Sequence, residues 1–215
     1  MSALRHSRKR WFVSFLQSIF VCMFGVAYYL VKKPQRDGEL VLSRRRRIEV
    51  GKTNLEQLKA MLVQSGPSRN ADMVCQPTQC VYSFMTSNDL LRRLHMAPPS
   101  LLLTDVYVTG DVVSDIVVHY DIGEYGEFAH LRFVQGLAQV PQAAFFHCGD
   151  GGEEKCIKRY NDTDGTPIRI YMALAPSVPL PERNRLLSFN TACLSRIHGC
   201  RNAREALPIN ELDKR

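Results

Sequence analysis

From Trp11 to Val31 the chain lacks any charged residue, and only Ser14, Gln17 and Ser18 interrupt the apolar run. As a helix rising about 1.5 Å per residue, this segment reaches roughly 30 Å, one bilayer crossing. The rest of the chain lacks the signatures that would name a reaction. G-x-S-x-G, H-E-x-x-H and a catalytic-cysteine pattern are missing, which leaves no nucleophile to assign. Neither G-x-G-x-x-G nor G-x4-G-K-[ST] occurs, so there is no phosphate-binding loop, and no cofactor is predicted. Aromatic residues are few, at 9%, and no internal repeat is visible. Acidic residues are scarce where basic ones are dense: Arg5 to Arg10 and Lys32 to Arg47 supply most of the net charge of +7, and after Ile48 the two signs nearly balance. Basicity confined to the flanks of an apolar segment assigns it to anionic lipid, which attracts each juxtamembrane Lys or Arg by about 1 kcal/mol, and not to nucleic acid.

These features divide the chain into a basic tail over residues 1–10, a transmembrane helix over 11–31, a basic juxtamembrane linker over 32–47 and a globular domain over 48–213. The domain holds about 165 residues, enough for a real core. Arg44, Arg45, Arg46 and Arg47 close the linker and are expected to hold it against lipid headgroups. Gly25-Val26-Ala27 offers small residues to a signal peptidase, but the apolar run continues through Tyr28, Tyr29, Leu30 and Val31, which favours an uncleaved anchor. Arg8 and Arg10 are not adjacent, so a twin-arginine export signal is discounted.

One cysteine, Cys22, lies in the span. The other six fall in three close couples: Cys75 with Cys80, Cys148 with Cys156, Cys193 with Cys200. An even set at such spacing suits local disulfides in an oxidising compartment, although six cysteines allow about 15 connectivities. The alternative is buried free thiols. Lys and Arg near the span are more numerous on its C-terminal side, which by the positive-inside rule puts the domain in the cytoplasm. Long domains, however, cross largely regardless of flanking charge, and a short basic tail resists translocation. The cysteines decide for an N-terminus inside and the domain outside.

Within the domain, Thr53-Asn54-Leu55-Glu56 fits a capping box, with the Thr53 hydroxyl accepting from the Glu56 N–H. Leu55, Leu58, Met61 and Leu62 follow at helical spacing, and Gly66-Pro67 stops that helix. Cys75 to Cys80 reads as a turn between short extended segments 73–75 and 80–85, which a disulfide would staple. Its C-x4-C spacing also suits half a zinc site, but no second half exists. Further strands are predicted over 101–108, 112–120, 128–134, 143–148, 156–160 and 167–174. In the second of these, Val112, Ile116, Val118 and Tyr120 share one face, while Asp115, His119 and Asp121 look the other way with Val113 and Val117. A C-terminal helix is expected over about 181–197, with Gly199 at its stop, and a Cys193–Cys200 bond requires that helix to end between them. The predicted fold is α+β: an antiparallel sheet of about six strands with an N-terminal and a C-terminal helix on one face.

Candidate chemistry is thin. Asp162-Thr163-Asp164-Gly165 lacks the ligands of a calcium loop and the large domain of a nucleotide-sugar transferase, and reads as a hairpin turn. The glycine-rich loop between Cys148 and Cys156 carries three carboxylates, Asp150, Glu153 and Glu154, which suit weak cation binding or simple exposure. Asn161-Asp162-Thr163 matches a glycosylation sequon. The candidate polar cluster is His119, Asp121, Glu124 and His130, which could share an acid–base or metal site if neighbouring strands joined them; solvated histidines on a wet sheet face are the plainer reading.

Four segments carry a resemblance: Gly51-Lys52-Thr53 opening a helix, Leu91-Arg92-Arg93-Leu94-His95-Met96-Ala97-Pro98-Pro99, Gly123-Glu124-Tyr125-Gly126, and Phe189-Asn190-x-x-Cys193-Leu194. Together they resemble a group of uncharacterised single-pass bacterial membrane proteins, a likeness that spans most of the domain and implies no activity. Locally, Gly51-x-Thr53 before an amphipathic helix is similar to the opening of small lipoproteins of the outer-membrane assembly machinery. Here Gln64-Ser65 stands before Gly66-Pro67 where that family has Leu-Gly-x-Pro, and the lipobox cysteine is missing, so no functional residue is carried over. The expectation that follows is a non-enzymatic extracytoplasmic domain tethered to membrane lipid that binds an envelope protein. The alternative is a small envelope enzyme or metal-binding domain using the polar cluster.

Overall fold

The computed structural model describes residues 3–63, 71–136, 155–161 and 167–207. The expected Gly66-Pro67 stop, the strand over 143–148, the loop following Cys148 and the turn at Asp162 to Gly165 lie outside those residues. Helix α1 runs without a break over Ala3–Arg45 and contains Pro34. It is long and apolar enough to cross a membrane, or to act as a signal sequence. Phe20, Val21, Met23 and Phe24 stand exposed along it.

The stretch read as a linker over 32–47 is therefore helical almost to its end, and it is part of the domain. Between its basic residues, Gly38, Val41, Leu42 and Arg45 recur at helical spacing and all are buried, which is the stripe of an amphipathic helix facing a core. A Cβ on Gly38 would lie 3.2 Å from side-chain carbons of Leu102, Thr191 and Leu194, so the missing side chain lets α1 approach the sheet closely. Polar bonds clamp the same segment: Ser195 Oγ donates to Gln35 Oε1 at 2.6 Å, Lys32 Nζ donates to Ser195 Oγ at 3.3 Å, and Thr191 Oγ1 donates to Glu39 Oε1 at 3.3 Å.

Helix α2 covers Leu55–Val63. Its capping box sits one residue later than expected: Asn54 Oδ1 accepts from the Gln57 N–H at 2.8 Å and Gln57 Oε1 from the Asn54 N–H at 3.1 Å. Asn and Gln satisfy the same reciprocal geometry as Thr and Glu. Thr53 instead accepts from the Glu49 N–H at 2.8 Å.

The sheet contains seven described strands: β1 Ala71–Gln76, β2 Gln79–Ser87, β3 Ser100–Thr109, β4 Val112–Ile122, β5 Ala129–Gly136, β6 Lys155–Asn161 and β7 Pro167–Leu174. Their order is β1-β2-β3-β4-β5-β7-β6. All pairs are antiparallel except β5 with β7, so the sheet is mostly, not wholly, antiparallel. Helix α3, Asp89–Arg93, bridges β2 and β3.

One sheet face is the core, with Leu102, Val106, Ile116, Val118, Tyr120, Leu131, Phe133, Ile170 and Met172 essentially inaccessible. Leu42 from α1, Leu58 from α2 and residues of the C-terminal segment cover it. That segment is not the continuous helix expected over 181–197. It breaks into α4, Leu180–Leu186, a 3-10 turn, Thr191–Leu194, and α5, Ala203–Ala206. Asn190 makes the break: its side chain accepts from the Ala192 N–H at 3.2 Å and donates to the Glu205 carbonyl at 2.9 Å. The broken path brings the Cα atoms of Cys193 and Cys200 to 5.1 Å, and the two are disulfide-bonded. Cys75 and Cys80 form a second disulfide, directly opposite each other across β1 and β2. Cys156 is disulfide-bonded too, and its expected partner Cys148 lies outside the described residues. Among the described residues only Cys22 is free.

Candidate functional site

The alternation of β4 breaks at Ser114, where the pairing slips from Tyr107–Asp115 to Val108–Val113. This bulge reverses the sense of the strand before it. Val113, expected on the wet face, is fully buried with Ile116, Val118 and Tyr120, and Val112 is turned outward. Beyond the bulge the expected wet face holds: Asp115, His119 and Asp121 alternate with core residues and are half-buried.

Strand register then decides which candidates meet. Asp121 pairs with His130 and His119 with Arg132; His130 continues to Arg169 and Arg132 to Tyr171 on β7. His130 Nδ1 is hydrogen-bonded to Asp121 Oδ1. With the proton on Nδ1 the ring donates to the carboxylate, leaving Nε2 as the basic nitrogen. The ring centroids of His119 and His130 are 6.2 Å apart, and those of His130 and Tyr171, in a T-shaped contact, 5.5 Å. Burial, helped by the Arg132 guanidinium, lowers the His119 pKa; Asp121 pulls the other way. His119 is thus held neutral further into acid than a free imidazole.

Glu124 stands apart. It opens the 3-10 turn Glu124–Gly126 and is exposed. It shares with Asp121 only a shallow groove that also includes Asn88, Asp89 and Arg92. Among the described residues no three His, Cys, Asp or Glu side chains are grouped closely enough to hold a metal ion. Gly126, at φ +75°, permits the dyad: a Cβ there would come within 3.0 Å of His130 Cβ and 3.4 Å of Asp121 Oδ1.

The four consecutive arginines do not form the expected lipid-contacting strip. Arg45 is 1% exposed and donates through Nε and Nη2 to Thr104 Oγ1 at 3.3 and 3.1 Å. Arg46 Nη2 donates to the Leu187 carbonyl at 3.2 Å. Arg44 is half-buried, and only Arg47 is exposed. Arg45 falls on the buried stripe of α1 that Gly38, Val41 and Leu42 define, so this member of the run faces the core.

Arg183 was not marked by any motif and is the second large buried cation, at 1% exposure. Its guanidinium donates to the carbonyls of Ile48 and Arg46, just past the end of α1, and to Gln135 Oε1 at 3.4 Å. Burial lowers its pKa, with Glu49 opposing. A cation at carbonyls that no helical turn satisfies is a C-terminal cap. The segments that carried the resemblance have similar duties: Gly51, Gly123 and Gly126 have positive φ, and Asn190 breaks the C-terminal segment. No protein-family model matches the chain, and comparison with curated proteins and with solved structures finds no significant match.

Proposed function

We propose that this chain is a membrane-anchored domain displayed in an oxidising extracytoplasmic compartment, where it binds a protein partner of the envelope. The observation that supports the reading is the course of α1. An exposed apolar stretch long enough for a bilayer passes without interruption into turns buried in the domain, so removing the span at Ala27 would leave the domain's own core helix still carrying Tyr28 to Val31. The disulfides support the compartment. The sheet face opposite the core, with Leu101, Leu103, Tyr107, His119 and Asp121 half-buried and Met85 exposed, mixes apolar and ionisable groups as a partner surface does.

Thiol labelling with a membrane-impermeant maleimide tests the reading in intact cells and spheroplasts, with and without reductant. The domain cysteines are expected to label in spheroplasts only after reduction, while the chain stays in the carbonate-washed membrane pellet. Labelling without reductant, or only after the inner membrane is lysed, overturns the location. A soluble mature form starting near Tyr28 overturns the anchor.

A small envelope enzyme is the second reading, favoured by the Asp121–His130 dyad beside Tyr171. It needs a third group to complete a site, and Glu124 does not supply it. Its metal-binding variant lacks a ligand set among the described residues.

A further inference from the structure

We infer that the end of the domain nearest the apolar part of α1 is a lipid-docking collar, which rests on the bilayer surface and takes anionic phospholipid headgroups. The inference rests on the anchor reading above and moves the lipid contact away from the four-arginine run. Arg45 lies about 20 Å along α1 from Lys32 and is buried against Thr104, whereas Lys32 directly follows the apolar run.

Lys32 locates the collar, because its Nζ donates to Ser195 Oγ at 3.3 Å. The loop that leaves Ser195 is therefore level with the end of the span. In that loop Ile197 is 52% exposed, flanked by exposed Arg196 and His198, with exposed Arg201 beyond. A second loop is locked to it: the His198 N–H donates to the Met96 carbonyl at 2.8 Å, and Gly199, at φ +61°, packs so closely on Pro98 that a Cβ would lie 2.9 Å from its ring. This second loop exposes Leu94 at 56% and Met96 at 37%, beside exposed Arg93 and His95. Between the loops runs an open groove lined by His95, Met96, Pro98, Phe128, His198 and Arg201.

Apolar tips set among cations, next to a membrane span, have the composition of a surface that lies in the headgroup region. Lys33 and Arg36 on α1 are exposed within two turns of the end of the apolar run; Lys33 meets Asp37 at 2.6 Å, a pair on the surface. Arg196 also meets Glu205 at 3.3 Å, but both are exposed and such a pair competes weakly with a charged surface. Glu124, exposed, lines a different groove, with Asp89, Arg92 and Asp121.

The full chain in nanodiscs, with phosphatidylcholine brominated near the top of the acyl chains and with or without phosphatidylglycerol, tests this. Trp11 is the only tryptophan and reports insertion of the anchor itself. In a Trp11→Phe background, Ile197→Trp is expected to lose at least about half its emission in the anionic discs, as an interfacial side chain does. Val74→Trp is the control: Val74 is 57% exposed and pairs through Val81 to Tyr107, about 23 Å of strand beyond Ser100. It is expected to keep its emission. Adding Arg93→Glu, Arg196→Glu and Arg201→Glu is expected to return Ile197→Trp to the control level. Equal emission of the two probes, with Trp11 quenched in the native protein, overturns the collar; quenching indifferent to phosphatidylglycerol and to the charge reversals overturns the headgroup assignment. An unquenched Trp11 overturns the anchor reading, and the collar with it.

Discussion

Replacing Arg183 by Met tests whether the cap on α1 holds the stalk to the domain. The guanidinium satisfies the carbonyls of Arg46 and Ile48 and reaches Gln135 and Asn184. Met keeps most of the side-chain volume and removes every donor. Two main-chain acceptors are then stranded in a region where Ile48 is fully buried, at about 1–3 kcal/mol each. Relief of the buried cation's desolvation works the other way, and for a well-made ion pair that relief can balance the loss. Here the carbonyls stay behind without a substitute, so the loss exceeds the relief and the net destabilisation is about 3 kcal/mol, a large share of the about 5–15 kcal/mol of an ordinary domain. Denaturant titration of the detergent-solubilised full chain, followed by near-ultraviolet circular dichroism, measures it. Arg183→Lys is expected to fall between wild type and Met, because the ammonium keeps the charge and its donors but lacks the planar fork whose two separate nitrogens meet the two carbonyls. A loss under about 1 kcal/mol for Arg183→Met would mean that water satisfies those carbonyls and that the cap is dispensable.

Gly126→Ala is expected to cost about 1–2 kcal/mol, since it forces a left-handed residue and intrudes on His130; a change in the His130 imidazole chemical shifts from those of wild type at one fixed pH checks that the dyad is displaced. The lowered His119 pKa makes the folded state bind fewer protons than the unfolded one. Its contribution to stability is therefore fully present above the unfolded pKa of about 6.5 and is lost as pH falls through the lower folded value. Arg132 and His130 face that imidazole as like charges, Asp121 and Asp105 as opposite ones, and His119→Asn is expected to flatten the decline in melting temperature below pH 6.5. Cys193→Ala with Cys200→Ala is expected to remove about 2–3 kcal/mol, the loop-entropy value for a short ring, and to expose the α1 contact to proteolysis near Ser195. The same exchange at Cys75 and Cys80 should leave that contact protected, because these cysteines close the turn end of the hairpin, where Cys80 pairs with Val108 at the end of β3 away from Leu102 and Ser100.

The strands were legible wherever apolar residues alternate: β7 spans the predicted residues, and β3 and β4 extend theirs by one or two. What alternation does not encode was missed. The bulge at Ser114 inserts a residue without changing composition, so Val112 and Val113 exchanged faces. The parallel β5–β7 pair depends on which edge the β6–β7 hairpin docks against, a choice absent from local pattern. The continuous helix over 181–197 looked periodic, but Asn190 bonds its own turn and the α5 segment in preference to the helical ladder. In the candidate site, the Asp121–His130 pairing followed from two strands antiparallel across a short turn. Glu124 was included on sequence proximity alone, and Arg183 carried no signal beyond being a base in an apolar neighbourhood.

Misreading residues 32–47 as a linker has the largest functional consequence. A basic linker would let the domain swing and reach. A helix bonded to Ser195 at Lys32 and Gln35, packed on Leu102 at Gly38 and held to Thr104 at Arg45 has no joint in that span, and even Pro34 lies between two clamped residues. Leu103, which pairs with His119, sits between the two β3 residues that α1 touches. The candidate cluster therefore lies across the sheet from the stretch Gly38 to Arg45, about 10–20 Å along α1 from Val31, where its uncharged apolar run ends. If the anchor reading proposed above holds, a domain fixed at that height would present its open face to groups close to the same bilayer, and the partner proposed for it would itself be held near the membrane.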